Sequence, residues 1–175
     1  MTYGEYVLLF LLFLMMLSDL YSDRIPNGMI PLEIAAGLFC SFRQQGLWGV
    51  LYALLSMTAA FLLTYFLFKL GTLGAGDVKV FLVVGSFVPI RECLVIVAVS
   101  FGIGAIVSIG RLITERNAAE RMRYFVSYMT DVARSGRWKL YGEDLRGDRQ
   151  RYRSNKIHFT VPILLGAVLR IGGWI

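Results

Sequence analysis

The stretch from Gln44 to Phe68 constrains this chain most: 25 consecutive residues without one charged side chain. A helix needs about 20 apolar residues to cross roughly 30 Å of hydrocarbon, so this run is long enough to span a bilayer. It has company. Tyr6–Ser18, Val80–Ile90, Leu94–Gly110 and Ile157–Leu169 are also uncharged, and Ile30–Phe42 is interrupted only by Glu33. Only 17% of the chain is charged and 57% is hydrophobic, where a soluble domain carries about a quarter charged residues. The expected fold is therefore all-α, a polytopic membrane protein with about six transmembrane helices. The start, MTYGEYVLLF, lacks the basic opening of a secretory signal peptide, and no small-residue cleavage site follows the first run. The first segment is thus expected to be retained as a helix. Cys40 and Cys93 lie in separate apolar segments with no CxxC pair, which gives no support to a metal site or disulfide framework.

Charge divides the chain. The +6 net charge resides in Arg111–Lys156, where twelve Lys or Arg face six Asp or Glu, while six of each sign cancel elsewhere. The positive-inside rule accounts for such a block in a membrane protein without a nucleic-acid partner. Residues 1–110 are read as transmembrane helices 1 to 5. Residues 111–156 are read as a basic cytoplasmic insert, either a solvated loop or an amphipathic helix on anionic lipid. Residues 157–175 are read as helix 6. Counting spans back from a cytoplasmic insert puts both termini outside, and brings SDLYSDRIPN and GTLGAGDVK to the cytoplasmic face together.

Those two stretches carry the chemistry. Asp19 closes the first apolar segment and Asp77 opens the fourth, 58 residues apart. Carboxylates at the edge of hydrocarbon are functional candidates by default, although one facing water costs little. Pro26 excludes helix at Ile25, and Asn27 is placed to cap the helix that follows. Gly71, Gly74 and Gly76 permit positive φ or a close backbone approach, leaving Asp77 to cap a helix beginning VKVF. Two adjacent carboxyls share a proton, so one can take a proton from water while the other protonates a scissile carbonyl. No metal or cofactor motif competes, and there is no G-x-S-x-G, H-E-x-x-H or Walker sequence. The lone histidine, His158, reads as an interfacial residue.

These residues resemble the type IV prepilin peptidases and archaeal preflagellin peptidases, membrane aspartic proteases of the GxGD type. The likeness lies in Asp19, six intervening positions and Pro26-Asn27; in Gly74-Ala75-Gly76-Asp77-Val78-Lys79; and in the proline of FTVPILLGAV. It implies that Asp19 and Asp77 form the catalytic pair. Asp23, one helical turn beyond Asp19, is the competitor but stands too near Pro26. Gly74 and Gly76 would shape the turn, and Lys79 would tune the nearby charge. No cofactor is implied. The substrate would be a pilin-like precursor whose basic leader is cut at the cytoplasmic face, typically after glycine. The double CxxC segment of larger members is missing, so N-methylation is not expected. Two other classes stay open on the residues alone: a small cation or proton-coupled transporter using both aspartates, and a scaffold acting through its basic insert.

Overall fold

The computed structural model describes residues 2–22, 25–70, 72–114 and 158–174. Among them the fold is all-helical, and the six apolar segments appear in five helices. These are α1 (Tyr3–Ser22), α2 (Met29–Lys69), α3 (Ala75–Phe87), α4 (Ile90–Thr114) and α5 (Thr160–Ile171). The 41-residue α2 absorbs two expected segments but is not straight. Gly46, at φ 60° and ψ −144°, breaks it. A residue in that region is nearly always glycine, because a side chain there meets the backbone.

Beyond the break the chain folds back. A Cβ on Gly49 would run into the carbonyl of Ser41, eight residues earlier, whereas in a continuous helix those positions lie about 12 Å apart. So α2 is a helical hairpin, one rod over 29–45 and a second over 47–69. The helices α1, α2 and α4 are long and apolar enough to cross a membrane; α3, with 13 residues, and α5, with 12, are shorter.

The chain divides into two compact units, residues 1–104 with 158–175, and residues 105–157. Of the second unit the described residues include only the last turns of α4. The basic insert expected over 111–156 lies outside the described residues from residue 115 onward.

Small residues hold the first unit together by letting helices touch at backbone distance. A Cβ on Gly85 would lie 2.9 Å from Met57 Cα, and one on Gly37 would lie 2.8 Å from the Phe87 ring. Both rods of α2 therefore press on α3 near its C-terminal end, and Ser41 Oγ donates to the Ser86 carbonyl at 3.0 Å. Close approach of this kind drives helix association where lipid removes the hydrophobic incentive. Buried hydroxyls are satisfied within their own helices: Thr64 donates to the Ala60 carbonyl at 2.6 Å, and Ser100 to that of Ile96 at 2.6 Å. Glu33, also buried, has both carboxylate oxygens without a hydrogen-bond partner among the described residues. Cys40 and Cys93 are buried free thiols.

Contacts at the two ends of the bundle fix which termini lie together. At one end, Gly4 of α1 sits under Gln44 and Phe87, and Arg170 of α5 donates to Glu92 of α4 at 2.7 Å. The C-terminus of α1 and the N-termini of α2, α3 and α5 collect at the other end.

The glycine contacts give a stability prediction. Gly85→Val is expected to lower the thermal unfolding midpoint in detergent, by an overpacking cost of about 1–3 kcal/mol. Gly102→Ala, with open space around its added methyl, is expected to hold or raise the midpoint.

Candidate active site

The first carboxylate is buried. Along α1 the buried positions are Gly4, Leu8, Leu12, Met15 and Asp19, a stripe at helical spacing. Asp19 continues the face that packs into the bundle, and only 6% of it is exposed. A carboxylate in that position needs donors. Two come from the start of α5. The Thr160 hydroxyl donates to Asp19 Oδ2 at 2.9 Å, and His158 Nδ1 lies 3.2 Å from the same oxygen. Neither residue is marked by the Asp motifs. The available signal was a pair of polar side chains, two apart, leading into the last apolar segment.

Phe159, between them, explains how α5 is held there. Its ring packs against Phe101 at 5.0 Å and Phe81 at 6.4 Å between centroids. Gly104 leaves the room, since a Cβ there would lie 2.5 Å from the Phe159 ring. Further along, Gly166 lets α5 cross α4 at Ser100, whose Oγ would lie 2.7 Å from an added Cβ.

The second carboxylate is set by a turn. Gly74, extended at φ −78° and ψ 151°, precedes α3, whose first residue is Ala75. The expected helix start at Val78 is thus three residues late. Asp77 lies in the first turn rather than ahead of it, and its Oδ2 reaches back to accept from the Gly74 amide at 3.2 Å. That is the reciprocal half of a capping box, which favours a carboxylate at a helix N-terminus. Gly74 does not use positive φ. Its role is space: a Cβ would lie 2.9 Å from Asp77 Oδ2.

The two motifs meet. Lys79 Nζ donates to Asn27 Oδ1 at 2.6 Å, bridging 52 residues of sequence. A Cβ on Gly76 would touch Ile25 at 3.5 Å. Asn27 therefore does not cap α2 as expected; Gly28 holds that position, with no side-chain cap bond. Pro26 does make a turn, its carbonyl accepting from the Met29 amide at 3.1 Å. Asp23 lies outside the described residues.

Fold and site together define a helical, membrane-type protein that gathers two carboxylate-bearing motifs at one end of its bundle. Residues 6–109, which contain both motifs, match the family described as the type IV leader peptidase family. The chain belongs to that family, and it is accordingly a peptidase. Comparison with curated proteins and with solved structures gives no match.

The joint between the motifs is testable by a double-mutant cycle. Asn27→Ala and Lys79→Met are each expected to destabilise the fold by roughly the value of one hydrogen bond, about 0.5–1.5 kcal/mol, seen as a lower unfolding midpoint. The double variant is expected to lose little more than either single one, because both remove the same contact.

Proposed function

We propose that this chain is a membrane-embedded aspartic endopeptidase. It removes the short basic leader from pilin-like or archaellin-like precursors at the cytoplasmic membrane face. The observation that carries the reading is the convergence of the two motifs, joined through Lys79 and Asn27 at the end of the bundle where Asp19 is buried. Family membership supports leader peptidase chemistry in general.

In this mechanism Asp19 and Asp77 flank a water molecule. One carboxylate takes a proton as the water oxygen attacks the scissile carbonyl carbon, and the other carboxyl protonates the carbonyl oxygen. Collapse of the tetrahedral intermediate breaks the C–N bond: the carboxyl that took the water proton gives it to the departing amine, and a gem-diol hydroxyl returns a proton to the other carboxylate. The basic block over Arg111–Lys156 argues for a cytoplasmic placement of this end by the positive-inside rule. The apolar part of the precursor lies along the bundle, in lipid. Exposed apolar side chains such as Phe10, Phe13, Leu62 and Phe66 suit that surface.

The test uses full-length protein in vesicles with a precursor carrying a basic leader, a glycine at the junction and an apolar helix. Asp19→Asn and Asp77→Asn are each expected to cut cleavage at least about a hundredfold, the scale of lost general acid–base catalysis, with membrane insertion unchanged. Asp23→Asn is expected to retain substantial activity. Cleavage persisting in both the Asp19 and Asp77 variants would end the aspartic reading.

A further inference from the structure

We infer that Thr160 and His158, at the start of the last helix, are positioning residues for Asp19: together they fix the orientation of its carboxyl group. The inference rests on the aspartic reading of Asp19 given above. It concerns residues beyond the stretch matched to the family, which ends at residue 109.

Both contacts fall on one atom. The Thr160 hydroxyl and the His158 imidazole reach Asp19 Oδ2, at 2.9 and 3.2 Å. With Nδ1 carrying its hydrogen, Oδ2 accepts from two donors at once. An oxygen held that way keeps both lone-pair directions occupied and is the poorer place for a travelling proton. The carboxyl plane is fixed as well, since two donors on one oxygen resist rotation about the Cβ–Cγ bond.

The supports of these donors point the same way. Thr160 is 2% exposed, so its hydroxyl meets little competition from solvent. Phe159 anchors the backbone between the two donors by its ring contacts with Phe81 and Phe101. The α5 helix then runs away from the site and is pinned at its far end by Arg170 on Glu92. A short helix clamped at both ends holds a hydroxyl to within the tolerance that proton transfer needs. General acid–base catalysis loses rate when a carboxyl is present but misaimed, while substrate binding is little changed. The signature of a positioning residue here is therefore a fall in kcat at nearly constant KM.

The experiment compares Thr160→Val, Thr160→Ser, His158→Leu and Asp19→Asn as full chains in vesicles with the precursor described above. Thr160→Val keeps the shape and removes the donor. It is expected to lower kcat roughly tenfold or more, the fold-change that corresponds to one hydrogen bond to a charged group, with KM within about twofold. Thr160→Ser restores the donor and is expected to return kcat to within about threefold of the parent. His158→Leu is expected to lower kcat in the same sense, and it carries the test should Thr160→Val fail to fold. Parent-like kcat in Thr160→Val, or a loss that Thr160→Ser does not recover, overturns the inference. So does a change confined to KM. The Asp19→Asn control separates the two readings: if it still cleaves, the aspartic mechanism fails, and if it is inactive while Thr160→Val is parent-like, only the positioning role fails.

Discussion

Close contact between α2 and α3 through their glycines is the interaction on which the rest of the site depends. Lipid tails are as apolar as leucine, so two helices gain little by hiding leucines from them and must gain by fitting. Here the fit is made by Gly37 against the end of α3 and by Gly85 against Met57. Because both rods of the α2 hairpin press on α3, the loop before α2 and the turn before α3 come out side by side. The Lys79–Asn27 bond is then possible at 2.6 Å. A bulkier residue at position 85 pushes on backbone, which cannot rotate away, and the displacement passes along a rigid 13-residue helix to Asp77 in its first turn.

Burying a carboxylate on the packed face of α1 raises a second demand, and α5 meets it. An ionised or hydrogen-bonding group away from water needs partners, and a helix of all-apolar neighbours offers none. Asp19 is answered by Thr160 and His158. The family match covers α1 to α4 almost to its end, but the donors stand at residues 158 and 160. Most of the peptidase architecture is thus written in the first 109 residues, while part of the immediate surroundings of its first aspartate is not.

How much of this was legible in the chain divides along physical lines. Helices and their approximate positions were legible, because uncharged runs of 11 to 25 residues leave no other economical structure. The two aspartate motifs were legible through their glycines, proline and spacing. The hairpin in α2 was legible in part: two segments, Ile30–Phe42 and Gln44–Phe68, were expected as separate spans, but the chain turns at Gly46, inside the second uncharged run, rather than between the two. The start of α3 was misplaced by three residues because three glycines in six positions read as loop, whereas Gly76 sits comfortably within the helix. Asn27 looked like a helix cap and instead serves as an acceptor for a lysine 52 residues away. No local rule reports that kind of use. His158 and Thr160 were missed for the same reason, since their partner is about 140 residues distant.

The face on which Asp19 lies bears on what class of protein this is. An aspartate that merely marks the membrane edge points toward water, where it costs little, and has no reason to share a stripe with Leu8, Leu12 and Met15. This one continues that stripe inward and is met there by a hydroxyl and an imidazole. A scaffold working through its basic insert has no use for such an expense of buried polarity. A cation carrier would use it, but family membership places the chain among peptidases. The same buried setting that is costly for an idle carboxylate strengthens the electrostatic work of a catalytic one, because few water dipoles are left to screen it.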